Sequence, residues 1–118
     1  MQLKNKILLI FCLIFLNSCN EFQRVLKSED IKLKYEVAEK YYEAQEFRRA
    51  SRLFEQIQSQ YRGKPQAERV TFFYANSLLN TKKYIDAGYQ FESFIKAYPL
   101  SQKVDEAAYL GAYSYYKT

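Results

Sequence analysis

The side chain best placed to do chemistry is the thiol of Cys19, which follows Leu16-Asn17-Ser18 at the end of an apolar run. The chain's other cysteine, Cys12, lies inside that run. One thiol beyond the run cannot form an internal disulfide or a cysteine-based metal site. The chain has no histidine, the commonest general base and metal ligand. Its carboxylates are scattered over predicted solvent-facing positions, so we expect no metal site and no enzyme.

The segment before Cys19 has the pattern of a secretory signal peptide, which we assign to residues 1–18. Lys4 and Lys6 precede the apolar run from Ile7 to Leu16, and no acidic residue interrupts it. This run is only half as long as a bilayer-spanning helix, which needs about 20 apolar residues. The segment therefore directs export and is expected to be removed.

The end of the signal resembles the lipobox of bacterial lipoproteins, an aliphatic residue and two short residues before an acceptor cysteine. The resemblance implies cleavage before Cys19, a diacylglycerol on its thiol, and an acyl chain such as palmitate on its new amino group. No other cofactor is expected. Residues 19–29 would then comprise the acylated cysteine and a tether. The alternative is ordinary secretion, with Cys19 left as an unmodified thiol.

Composition and charge favour a helical body without a nucleic-acid partner. Loss of Lys4 and Lys6 with the signal lowers the net charge from +5 to +3. The remaining basic residues alternate with acidic ones and form no long block of like charge, so no nucleic-acid footprint is indicated. Only three Gly and two Pro accompany twelve Tyr and nine Phe, too few turn residues for a β-rich fold.

A repeat of 37 residues organises residues 30–118, since Ala50 aligns with Ala87 and Phe54 with Phe91. From Phe47 to Tyr61, the apolar residues step by three or four, the spacing of one buried helix face. Short connections within each unit make its two helices antiparallel neighbours. The pattern predicts an all-α fold with two complete helical hairpins and a truncated third.

The predicted third unit begins with a helix from Val104 to Lys117. The 37-residue register places Ala108, Ala112 and Tyr115 on its inward face. No partner helix follows, and an open solenoid end would expose apolar side chains. We therefore expect the chain to be the N-terminal fragment of a longer protein.

The hairpins resemble tetratricopeptide repeats. Small residues stand at Ala38, Ala50, Ala75 and Ala87, where that repeat brings helix backbones close together. The resemblance implies a helical-hairpin solenoid whose first helices line a peptide-binding groove. The groove residues implied by the repeat alignment are Tyr35, Tyr42, Arg69, Phe72, Asn76, Leu79, Asn80, Tyr109, Tyr113, Tyr116 and Lys117.

The aromatic hairpins from Tyr41 to Tyr61 and from Tyr84 to Pro99 follow closely behind a lipobox-like cysteine. In this they resemble the BamD-type lipoproteins of the outer-membrane β-barrel assembly machinery. The resemblance implies a protein anchored on the periplasmic side of the outer membrane. Its N-terminal repeats would bind the C-terminal signals of unfolded barrel proteins, and later repeats would dock the barrel-forming subunit. Those signals end in an aromatic residue, whose carboxylate we expect Arg69 and Lys117 to meet.

Two other classes of function remain open. A tetratricopeptide lipoprotein can be a scaffold for cell-wall enzymes, using the same repeats with a different groove. It can also be a glycan-binding outer-membrane lipoprotein, although that type breaks its repeats with long insertions and uses tryptophan platforms. The absence of Trp and the regular repeat spacing argue against the glycan-binding class.

Overall fold

The computed structural model describes residues 2–118, without the side chains of residues 14–19. The described residues form helices joined by short turns, with no strand, so the predicted all-α fold is confirmed. A single 3-10 turn, Gln58–Tyr61, extends α3. The helices are α1 (Gln2–Lys27), α2 (Ile31–Glu43), α3 (Phe47–Ile57), α4 (Ala67–Asn80), α5 (Tyr84–Ala97) and α6 (Val104–Tyr116).

The helices pack as stacked antiparallel hairpins of the tetratricopeptide type. Within the first hairpin, Lys34 near the start of α2 donates to Gln56 near the end of α3. Between hairpins, the ring of Phe54 on α3 meets that of Phe73 on α4 edge-on at 6.1 Å. Each hairpin therefore buries its apolar face against its neighbour, as a solenoid requires.

Both turns inside the hairpins have the same backbone geometry. Gln45 and Lys82, which are 37 residues apart, adopt left-handed φ values of 61° and 64°. In the first turn, the amide of Glu46 donates to the carbonyl of Tyr41 at 2.8 Å. This bond across the turn ends the helix in a Schellman motif, which satisfies its last carbonyl groups. The 37-residue repeat found in the apolar side chains is therefore also present in the backbone conformation of the turns.

The predicted buried stripe of α3 lies in the core. The side chains of Ala50, Phe54 and Ile57 have no exposed area, and Tyr61 is also buried. Phe47, at the start of the helix, is half-buried. The repeat predicts close packing of helices at four alanine positions in α2 to α5. All four residues are fully buried: Ala38, Ala50, Ala75 and Ala87.

The predicted inward face of α6 is wrong by one residue. The buried residues are Ala107, Gly111 and Ser114, whereas Ala108, Ala112 and Tyr115 are exposed. A Cβ built on Gly111 would lie 3.1 Å from the Cβ of Phe91, so the smallest residue occupies the closest approach of α6 to α5. The inward row of small residues in α6 is therefore one position out of the 37-residue register, although α6 begins 37 residues after α4.

The segment expected to be a tether is largely helical. Residues 20–27 belong to α1, and Phe22 and Val25 are buried among the other helices. After a short link, the carboxylate of Asp30 accepts a hydrogen bond from the amide of Leu33 and caps α2. No helix among the residues that the structure describes has both the length and the apolarity needed to cross a membrane.

Two fully buried serines differ in their hydrogen bonding, which allows a matched test of core stability. The hydroxyl of Ser114 donates to the carbonyl of Leu110 at 2.7 Å, whereas that of Ser77 has no partner. A buried hydroxyl without a partner costs about 1–3 kcal/mol. We therefore expect Ser77→Ala to raise the melting temperature by roughly 5 °C, at about 1 kcal/mol. Ser114→Ala, the control, should leave it unchanged or lower, and equal shifts in both variants would contradict the assignment.

Candidate functional site

Several of the side chains predicted to line a groove lie on one side of α2, α4 and α6, which we call the α2–α4–α6 face. An ion pair joins the first two helices, because Nε of Arg69 lies 2.7 Å from Oε1 of Glu39. Burial raises the pKa of Tyr35, one turn earlier in α2, and its hydroxyl is close enough to the same carboxylate for Glu39 to raise that pKa further. The guanidinium of Arg69 also lies 4.8 Å from the centre of the Phe73 ring. These contacts hold the arginine in place at the surface.

The ring of Tyr42 is fixed from two sides. It stacks on Phe73 with centroids 3.9 Å apart and planes 9° from parallel. Its hydroxyl accepts a hydrogen bond of 2.7 Å from Nδ2 of Asn76, and Nδ2 of Asn80 donates to the carbonyl of Asn76. Stacked aromatic side chains with bonded polar ends form a rigid surface that loses little entropy on binding a ligand.

A hollow of about 340 Å³ opens beside this stack, between α4 and the start of α6. Its cations are Arg69 and Lys103, and the ammonium of Lys103 lies 4.6 Å from the centre of the Phe72 ring. Glu68 at its edge accepts a hydrogen bond from the hydroxyl of Ser101. The lining is apolar below and basic at the rim: Pro65, Glu68, Arg69, Phe72, Phe73 and Lys103.

The tyrosines of α6 extend the α2–α4–α6 face beyond the hollow. Burial raises the pKa of Tyr42, and the charge of Glu106 on α6 raises it further. Tyr109 and Tyr113 follow Glu106 at spacings of three and seven, on the same side of the helix. Tyr109 is 70% exposed and Tyr116 is 84% exposed. These rings are accessible to a ligand.

Two of the predicted groove residues instead hold the helices together. Phe72 is only 3% exposed, and its ring meets those of Phe91 and Phe94 edge-on. Leu79 also packs against the core. Lys117 lies near the end of α6, about three helical turns beyond the level of Arg69. The cation that shares the hollow with Arg69 is Lys103.

Comparison with known protein families gives a match over most of the chain. A family model described as outer membrane lipoprotein, YfiO, matches residues 27–118. The chain belongs to the YfiO family of outer membrane lipoproteins. The match starts at the last residue of α1 and covers the whole stack of hairpins. A search of curated proteins finds no match.

Two residues of the candidate site were missed by sequence reasoning. Phe73 was overlooked because the repeat alignment selected its neighbour Phe72 for the groove. Lys103 was overlooked because it lies in the turn between α5 and α6, outside the helix positions that the repeat alignment assigns. A signal for Phe73 was available, since Tyr42 and Phe73 lie on consecutive first helices and both are large aromatics.

Tyr35 and Tyr42 of this YfiO-family protein stay neutral under ordinary conditions. Burial, and next the hydrogen bond to Glu39, raise the pKa of Tyr35 to about 12. Burial also raises the pKa of Tyr42, and the hydrogen bond from Asn76 opposes that shift. The α2–α4–α6 face therefore presents the neutral hydroxyl groups of Tyr35 and Tyr42 beside the guanidinium of Arg69. Among the described residues, no cluster of acidic or thiol side chains is suited to hold a metal ion.

Proposed function

We propose that this lipoprotein is a non-enzymatic, lipid-anchored scaffold of the outer-membrane β-barrel assembly machinery. In this proposal, Cys19 carries the lipid and the helical hairpins stand on the periplasmic side of the outer membrane. The α2–α4–α6 face binds extended C-terminal segments of unfolded barrel proteins. The same protein also docks partner subunits, among them the barrel-forming subunit.

The observation that carries the proposal is the hollow beside Phe73, with Arg69 and Lys103 at its rim. A barrel-protein C terminus combines an aromatic side chain with a terminal carboxylate. An apolar floor of phenylalanine rings suits the aromatic group, and two cations suit the carboxylate. The exposed tyrosines of α6 offer further contacts to the apolar residues that precede the terminus.

The polar residues of the face suit a peptide in extended conformation. Such a peptide has backbone donors and acceptors that need partners when they leave water. Asn76 and Asn80 present amide groups next to the hydroxyl of Tyr42. Tyr35 adds a second hydroxyl, and the tyrosine rings supply apolar contact between these groups. The proposed peptide-contacting residues are Tyr35, Tyr42, Arg69, Asn76, Asn80, Lys103, Tyr109, Tyr113 and Tyr116.

Titration of a barrel-protein C-terminal peptide, followed by fluorescence anisotropy, tests the proposal. Arg69→Gln and Lys103→Gln should each weaken binding by about 1–2 kcal/mol, or roughly five- to thirty-fold in Kd. Both side chains are exposed, so the helical circular dichroism should be unchanged. Arg62→Gln removes an exposed cation from the turn before α4 and is the matched control. It should bind like the wild type.

A peptide with an amidated C terminus shows whether the carboxylate is what the cations recognise. The amide should bind the wild type more weakly, and Arg69→Gln or Lys103→Gln should then cause little additional loss. This non-additivity is the signature of a direct interaction. Equal affinity for a scrambled peptide would remove the hollow from the function. Capture of cell-wall enzymes instead of barrel proteins by the full-length lipoprotein would favour the scaffold alternative.

A further inference from the structure

The end of α1 is packed into the domain and leaves it in a fixed direction. The buried ring of Phe22 meets that of Tyr41 edge-on at 5.7 Å. The guanidinium groups of Arg49 and Arg52 lie 5.6 and 5.7 Å from the centre of the Phe22 ring. Val25, one turn later, has no exposed area. Residues 20–27 are therefore part of the folded body.

The direction of α1 shows which end of the domain faces the proposed lipid anchor. Phe22 lies beside Tyr41 near the end of α2, whereas Lys34 near the start of α2 donates to the carbonyl of Leu26. The two helices are thus antiparallel. Cys19 is one helical turn before Phe22, and this turn extends towards the connection between α2 and α3.

The other helices share this end. Bonds from Glu39 to Arg69 and from Tyr42 to Asn76 hold α4 parallel to α2. The turn between α4 and α5 therefore lies beside the turn between α2 and α3. Near the end of α6, the ring of Tyr115 covers Gly88 in the second turn of α5. We call the surface formed by residues 44–49, 81–86 and 115–118 the anchor end.

Basic side chains predominate at the anchor end. Those of Lys82, Lys83 and Lys117 are exposed, and so is that of Arg48 in the first turn of α3. Side chains in the first turn of a helix lean towards its N terminus, so Arg48 points to the same end. Glu46 is paired with Arg49 at 3.0 Å, which leaves Asp86 as the other acidic residue on this surface.

We propose that the anchor end docks on anionic phospholipid headgroups, a step that rests on the lipid anchor proposed above. An anchor attached one helical turn from the folded body confines these cations close to the bilayer surface. Lysine and arginine are attracted to an anionic membrane over about one Debye length, roughly 8 Å at physiological salt. Docking of this end directs the helix axes away from the membrane surface. The hollow beside Arg69, which lies on the side of the helices, then stays accessible to a ligand.

The test uses the full-length protein, purified from membranes and reconstituted in two kinds of vesicle. One kind is phosphatidylcholine alone, and the other also contains phosphatidylglycerol. Amide hydrogen exchange is measured at the turns 44–49 and 81–86 and at the distant turn 62–66. On the anionic vesicles we expect exchange about ten-fold slower at the first two turns, and unchanged exchange at the third. High salt should abolish the difference.

Paired variants locate the effect. Lys82→Gln/Lys83→Gln should remove the protection of residues 81–86 on anionic vesicles. Glutamine suits this turn, because Gln45 has the same left-handed backbone in the first hairpin. Arg62→Gln/Lys64→Gln removes the same charge at the opposite end and should keep the protection. If both pairs behaved alike, the docking of the anchor end would be wrong.

Sedimentation of the same vesicles separates this inference from the anchor itself. Protein that stays on the neutral vesicles at high salt is held by lipid. Retention without charge-dependent protection would overturn the docking and leave the anchor intact. Loss of the protein from the neutral vesicles would overturn the anchor and, with it, the docking.

Discussion

Phe91→Ala is expected to be the most destabilising single truncation in the hairpin stack. The ring is fully buried and meets Phe72 on α4 edge-on at 5.8 Å, and the Cβ of Phe91 lies at the closest approach of α5 to Gly111 on α6. Removing a buried phenylalanine costs about 3–5 kcal/mol. That is a large part of the roughly 5–15 kcal/mol that holds a typical domain folded. The melting temperature should fall by roughly 15 °C or more.

Tyr89→Ala is the matched control for this truncation, because Tyr89 lies on the same helix and is 62% exposed. It should change the free energy of unfolding by no more than about 0.5 kcal/mol. Amide exchange gives a second measurement, since loss of the Phe91 ring should release α6 before it affects α2. A thermal shift no larger than that of Tyr89→Ala would contradict the assigned role of Phe91.

Cys19→Ala is expected to abolish retention in the outer membrane. Each methylene of an acyl chain contributes about 0.8 kcal/mol of membrane binding, so loss of two or more chains removes the anchor. The variant should remain uncleaved or appear in the soluble fraction. Fractionation of the envelope and the mass of the N-terminal peptide measure the two outcomes.

Cys12→Ala is the control for the anchoring experiment, since it removes the other thiol from within the signal. It should be cleaved, acylated and retained like the wild type. If the Cys19→Ala protein still sedimented with the outer membrane after a high-salt wash, the lipid on Cys19 would not be the anchor.

Much of the fold could be predicted because its apolar residues recur at helical spacing in equivalent hairpins. The register of α6 could not, since two rows of small residues run along it, one through Gly111 and the other through Ala112. Only contact with Phe91 selects between them, and that contact depends on how α6 is rotated against α5. The spacing of small residues along one helix carries no information on that rotation.

The candidate site was predicted in outline but not in its deciding contacts. Tyr42, Arg69 and Asn76 were found because repeat positions specify which side of a first helix they occupy. Phe72 and Phe73 are adjacent and equally apolar, so the sequence does not show which of them is buried against α5. Lys103 comes from a connecting turn, and its place beside the Phe72 ring follows from tertiary packing alone.

The continuity of α1 with the domain has a mechanical consequence. An isolated helix as short as residues 20–27 is unstable in water, so its order depends on the burial of Phe22 and Val25. A pulling force applied at Cys19 would therefore be resisted first by these two side chains. Under tension, residues 20–27 would detach from the domain and unfold before any hairpin opened. With the proposed lipid on Cys19, this segment would extend under tension while the folded repeats stayed intact.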